Sequence, residues 1–203
     1  MATALTIGLR HRLIDATVEL LGERGPEGTK LREIARRAGV SHGAPLRHFP
    51  SLTALLSEVA AEGFRQLEAS VEAVAGDQGP EASPLQRLAA GGRGYVSFAL
   101  ANRGVFGLMW RADLVDFTQP TLAEAAPAAF ASLTRLVEAC QRDGWHAGEG
   151  TALVAGSLWA TVHGLAQLWL LGVLQTAAGV TDIDAVMGTT LALVANDRIA
   201  TST

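Results

Sequence analysis

Residues 29–51 (TKLREIARRAGVSHGAPLRHFPS) gather Thr29, Ser41, His42, Gly43, Ala44, Arg47 and His48 beside a run of basic side chains. Hydroxyls, imidazoles, a guanidinium and backbone amides at this spacing suit the phosphates and base edges of double-stranded DNA. His42, Ala44 and Arg47 are expected at base edges or in the groove, Thr29, Ser41 and His48 at phosphates, and Gly43 in the helical turn among them. Catalytic chemistry finds no comparable footing. The chain has no GxSxG, HExxH, CxxC, Walker or GxGxxG element and no cluster of metal-spaced ligands, so no enzyme, metal or cofactor is expected.

Local chemistry then dictates the elements that must hold these side chains. Leu31, Ile34 and Ala35 recur at i, i+3 and i+4, the spacing of a buried helix stripe, while Lys30, Arg32, Glu33, Arg36 and Arg37 take the other face. Thr29 is expected to cap this helix through its hydroxyl. Gly39 allows a turn with positive φ, Val40 plugs it, and Ser41 caps a second helix whose first turn, His42 to Ala44, faces outward. Two helices joined in this way form a helix-turn-helix pattern. Pro45 removes only an early helical hydrogen bond, so the second helix is expected to survive it.

Charge supports the same reading. The 203-residue chain carries a net charge of −4, but residues 1–50 hold eight Lys and Arg against five Asp and Glu, a surplus of +3, and residues 51–203 carry −7. A basic head on an acidic body favours a nucleic-acid partner at the head alone. The 49% hydrophobic content is ample for a core and excludes a disordered chain. Cys140 is the only cysteine, so no internal disulfide is expected and a reducing compartment fits. The apolar stretch 2–9 is too short for a leader, and Arg10 and Arg12 lie on its wrong side, so a cytoplasmic protein is expected.

Beyond Pro50 long helical patterns alternate with Gly and Pro clusters, and no convincing period-two strand occurs. The expected fold is all-α with roughly nine helices, a three-helix head at 1–51 and a helical bundle at 52–203. Body helices are expected at 52–75, from Ser83 or Pro84 to 102, and at 105–114, 121–143, 149–174 and 182–199. Residues 152–174 contain no Asp, Glu, Lys or Arg and are long enough to cross a bilayer. His163 and Gln167 lie mid-span and no basic cluster flanks it, so no membrane partner is expected. A helix apolar nearly all round also suits one that meets its own domain on one face and a second subunit on the other. Ala155 and Trp169 on this helix, and Ile183, Val186, Met187, Thr190, Leu191 and Val194 on the last one, are the candidates for a homodimer interface. The last set forms a stripe that faces either a partner or its own core.

Residues 10–64 resemble the N-terminal domain of TetR-family transcriptional repressors. They match a first helix at 10–24, the turn at 25–29, LREIARRAGVSHGA, and the His48-Phe49-Pro50-Ser51 junction before a long helix. Leu46 and Leu52 depart from the family, which usually has an aromatic residue and often Lys there. Trp159-Ala-Thr-Val-His163-Gly164 is similar to the Trp…His-Gly (WHG) signature of one subgroup of C-terminal domains, with which Pro45 also agrees. The resemblance implies a homodimeric, ligand-responsive repressor of a near-palindromic operator, released by a small effector. It also implies an effector site in the middle helices, with Tyr95, Phe98, Phe106, Met109, Trp110, Phe117, Phe130, Trp159 and His163 as candidate lining. His163 is either a core histidine held by a backbone carbonyl or a ligand-orienting one. The competing reading, prompted by Leu46 and Leu52, is a small-molecule-binding or interaction protein with weakened DNA affinity.

Overall fold

The computed structural model describes residues 2–196, with side chains described from 8 to 193. The described residues form nine α-helices and one 3-10 turn, with no strand. In chain order these are α1 (Ala2–Arg24), α2 (Leu31–Arg37), the 3-10 turn Pro45–Arg47, α3 (Leu52–Gly76) and α4 (Pro84–Ala101). They continue with α5 (Arg103–Met109), α6 (Pro120–Arg142), α7 (Thr151–Leu170), α8 (Val173–Ala177) and α9 (Ile183–Asn196). The all-α class is as expected, but the count of nine agrees only because two differences cancel. The segment after Gly39 is a 3-10 turn, and the apolar run expected as one helix from 149 to 174 breaks at Gly172, where φ is 72°, into α7 and α8.

Helix starts follow local chemistry. Ser83 and Gln86 form a reciprocal capping box: the Ser83 amide donates to Gln86 Oε1 at 2.8 Å and the Gln86 amide to Ser83 Oγ at 3.2 Å, with Pro84 in the first helical position. Ser51 caps α3 by accepting from the Ala54 amide at 3.0 Å. Thr29 does not cap α2. Lys30 occupies that position without a side-chain bond, while the Thr29 hydroxyl donates to the Gly25 carbonyl at 2.9 Å and the residue is buried.

The chain packs as two compact units, Met1–Glu68 with Ala101–Ala129, and Ala69–Leu100 with Phe130–Thr203. In the first, Leu13, Leu20, Leu21, Ile34, Leu55 and Phe106 are fully buried. Here α5 lies against α1 so closely that a Cβ added to Gly104 would stand 2.3 Å from the Leu21 carbonyl carbon and oxygen. The unit that holds the helix-turn-helix therefore also takes in α5 and the first turns of α6. In the second unit, Leu88, Val137, Cys140, Val154 and Ala155 form a core sealed by Leu85, Phe130, Leu133, Leu136, Trp145 and Leu158. Burial pushes the Cys140 thiol up to about 11, so it serves as core rather than as a nucleophile. Ser70 Oγ of α3 donates to the Gly94 carbonyl of α4 at 2.9 Å, and Arg135 of α6 pairs with Glu72 of α3 at 2.6 Å.

Candidate nucleic-acid interface and effector site

The head is an α1–α2 pair that projects one turn. Ile34 and Ala35 bury the inner stripe of α2 as expected, and Gly39 turns the chain with φ 68°. Pro45 has no N–H to give the Ser41 carbonyl, which accepts instead from the Ala44 amide at 3.0 Å. The next bonds are Arg47 to Ala44 at 3.2 Å and His48 to Pro45 at 3.0 Å, so the expected second α-helix tightens into the 3-10 turn. Ser41 thus closes a turn through its backbone and does not cap a helix by its side chain. Pro45 and Phe49 are buried and anchor the turn, while Ser41, His42, Gly43, Leu46 and Arg47 are exposed and Ala44 and His48 half-buried. Of the seven residues expected to meet DNA, six contribute to this surface, Ala44 and His48 only in part. Thr29 does not, because its hydroxyl is spent inside the chain.

Ion pairing divides the eight basic residues of the head. Arg37 is held by Glu23 at 2.6 Å and Glu19 at 3.4 Å, Arg36 by Glu33 at 3.0 Å, Arg24 by Glu33 at 3.8 Å and Arg10 by Glu58 at 2.8 Å. Burial alone would raise the Glu58 carboxyl, but hydrogen bonds from Arg10 and Thr121 outweigh it and hold it below the usual range. Among the described residues Arg12, Lys30, Arg32 and Arg47 are exposed and stand in no ion pair within 4 Å. Arg12, Lys30 and Arg32 thereby join the candidate phosphate contacts. The sequence signal for them was indirect: Glu33 and Arg36 sit at i, i+3, which removes Arg36 from the free set.

In the second unit, Tyr95 of α4 meets His163 and Trp159 of α7. The Tyr95 hydroxyl lies 2.8 Å from His163 Nδ1 and accepts from Trp159 Nε1 at 3.4 Å. The Trp159 ring rests on Phe130 with centroids 5.7 Å apart. Burial holds the Tyr95 phenol above its ordinary value and the His163 imidazole below its own, so both stay neutral around pH 7. Phe98 is buried in the same unit. The other candidates fall in the first unit: Phe106 and Met109 are fully enclosed, Trp110 stacks edge-on against Phe64 at 5.1 Å and Phe106 at 5.9 Å, and Phe117 is partly exposed. Arg111 is tied to Glu27 and Asp113, both at 2.6 Å. The lowered His163 value carries a stability consequence. The folded chain binds this proton less readily than the unfolded chain, so His163 contributes fully above its ordinary value of about 6.5 and loses that contribution as pH falls below it. Expected is a melting-temperature gap between the native protein and His163→Gln that narrows from pH 7.5 to 5.5. A gap constant with pH would show that folding does not perturb His163.

The C-terminal helices revise the candidate interface. Ala155 is covered by its own chain in the core, and Met187 is likewise buried, so neither offers surface to a partner. Ile183, Val186, Thr190 and Leu191 are half-buried, as is Trp169, and Leu191 packs inward 3.5 Å from where a Gly92 Cβ would stand. The side chain of Val194 and the expected helix end at Ile199 lie outside the described residues. The open face of α7 is a different one. Leu153, Ser157, Ala160, Gly164 and Leu168 follow helical spacing along it and Leu171 continues it just past the helix end, with Leu153 at 67% and Leu171 at 72% exposure. A Cβ at Gly164 would meet nothing within 4 Å, so this glycine does not serve close packing inside its own chain. By length and mean hydropathy α7 could cross a membrane, and 28% of its apolar window is buried.

An exposed turn carrying Arg47 on a two-helix head, and a helical body with a partly buried Tyr–His–Trp group, fit a helix-turn-helix regulator. The family model described as "Bacterial regulatory proteins, tetR family" matches residues 13–59, and "Tetracyclin repressor-like, C-terminal domain" matches residues 88–193. The chain belongs to the TetR family of transcriptional regulators. The HTH-type transcriptional repressor KstR of Mycobacterium tuberculosis is 37% identical over 81 residues, 39% of this chain and 34% of that protein. KstR of Rhodococcus jostii is 34% identical over 79 residues, 39% of this chain and 35% of that protein. The match thus spans about a third of the length of these curated relatives. A solved protein of unknown function from Rhodococcus sp. RHA1 shares the fold at a TM-score of 0.77 and 32% identity, covering 92% of this chain and 93% of that one.

Proposed function

We propose that this regulator is a homodimeric repressor, with a DNA-binding head at 1–51 and an effector-binding, dimerising body at 52–203, acting in the cytoplasm on a near-palindromic operator. The observation that carries the reading is the exposed turn bearing His42 and Arg47, on a head whose exposed Arg12, Lys30 and Arg32 form no ion pair among the described residues. The uncharged open face of α7, small at its centre and leucine-rich at its ends, supports close apposition to a second copy. Two heads reading successive major grooves sit about 34–36 Å apart. The repressor names of the relatives support the sign of regulation. Trp159, His163 and Gly164 support placement in the Trp…His-Gly subgroup.

The effector site centres on Tyr95, Trp159 and His163, backed by Phe98 and Phe130. Aromatic walls around one polar group suit a small lipophilic molecule with a single hydrogen-bonding function. Such a ligand releases DNA by preferring a body conformation with another head spacing, in proportion to its differential affinity for the two states.

A gel-shift titration on DNA upstream of the chain's own gene, across a salt series, tests the reading. With three or four phosphate-facing cations per head, two heads give a slope of log Kobs against log salt of about −5 to −7, and a single head about half that. A slope near the single-head value sinks the dimeric arrangement. Absence of any shift at low salt favours the small-molecule-binding or interaction protein with weakened DNA affinity.

A further inference from the structure

Leu46 is 53% exposed, and it is the only large apolar side chain left open on the recognition turn. In a 3-10 turn successive side chains are about 120° apart. With Pro45 buried beneath, Leu46 and Arg47 must therefore splay outward on either side, as their exposure shows. His48, three residues after Pro45, returns toward the body of the head and is half-buried, as this period requires. The turn thus presents a two-pronged surface with one cationic fork and one apolar branch. Pro45 and Phe49, both buried, and the amide bonds of Phe49 and His48 to the Pro45 carbonyl at 2.9 and 3.0 Å hold both prongs in place.

A leucine side chain has no donor for a phosphate or a base edge. The one apolar feature in the major groove is the C5-methyl group of thymine. Resting on the reading of this head as a DNA binder, we propose that Leu46 is a specificity-determining residue that packs against a thymine methyl in each half-site, next to the base read by Arg47. The apolar branch would then select A·T at one position by burying that methyl, independently of charge and salt.

The test uses the full-length protein and a pool of random duplexes from which it selects its own binding site. Each thymine of the selected half-site is then replaced in turn by deoxyuridine, which deletes the methyl and leaves every hydrogen-bonding group in place. Expected is one thymine per half-site whose replacement weakens binding about fourfold, or about fifteenfold when made in both half-sites. Leu46→Ala should bind the deoxyuridine and thymidine duplexes equally. The proposal is overturned if no thymine is sensitive, or if the sensitivity persists in Leu46→Ala. It is also overturned if Leu46→Ala weakens all duplexes by one common factor. Failure to enrich any sequence overturns the DNA-binding reading itself, a result distinct from enrichment of a site indifferent to its methyl groups.

Discussion

Gly104→Ala is expected to lower stability by about 3 kcal/mol, a loss of roughly 6–12 °C in melting temperature for a chain of this size. The reason is that the added Cβ would stand 2.3 Å from the Leu21 carbonyl carbon and oxygen and 2.7 Å from the Gly22 amide nitrogen. Those are backbone atoms in the last turn of α1, and no rotamer change can remove them. The two helices must move apart, which unpacks fully buried neighbours such as Phe106 and Leu21's side chain. Gly107→Ala, in the same short helix, supplies the control. Its Cβ meets nothing within 4 Å, so ordinary helix propensity should leave stability unchanged or raise it by about 0.5–1 kcal/mol. Thermal unfolding of the two variants by circular dichroism decides the matter: equal melting temperatures would mean that α1 and α5 are not in backbone contact.

The second large effect is on DNA. Arg47→Ala is expected to weaken operator binding roughly 30-fold to 20,000-fold, because one bidentate arginine–base pair contributes about 1–3 kcal/mol and a dimer would carry two. Arg47 is exposed, so its loss should leave the fold intact. Its signature distinguishes two roles. A base reader loses discrimination at one position of each half-site with a nearly unchanged salt slope, whereas a phosphate contact weakens all sequences alike and flattens the slope by about one per head. Unchanged operator affinity in a properly folded dimer would remove Arg47 from the interface.

Much of the fold was legible because it rests on local chemistry. The α2 stripe of Ile34 and Ala35, the positive φ at Gly39, and the start of α4 at Ser83 follow from side-chain size, the missing Cβ and a hydroxyl cap, all within a few residues. Where the structure departs from these local rules, a competing partner is available nearby. The Thr29 hydroxyl could either accept from a helix amide ahead of it or donate back to a carbonyl, and the Gly25 carbonyl oxygen took it. Pro45 left the second helix without its first α-type bond, and a three-residue repeat was the tighter alternative. Periodicity locates the stripe of α9 without telling whether a partner or its own core covers it, and at Met187 its own chain does. The Tyr95–His163 pair was out of reach for another reason. Sixty-eight residues separate the two, and only tertiary packing brings α4 and α7 together.

The internal pairing of Arg10, Arg24, Arg36 and Arg37 with glutamates has a consequence for life in a genome. Attraction to random DNA is almost wholly a matter of counterions displaced by free cations, and a bacterial chromosome offers millions of random sites. A head that keeps half its positive charge engaged with its own carboxylates dwells only briefly at each wrong address. Fewer molecules are then sequestered on bulk DNA, and an operator of modest affinity can compete for a scarce regulator.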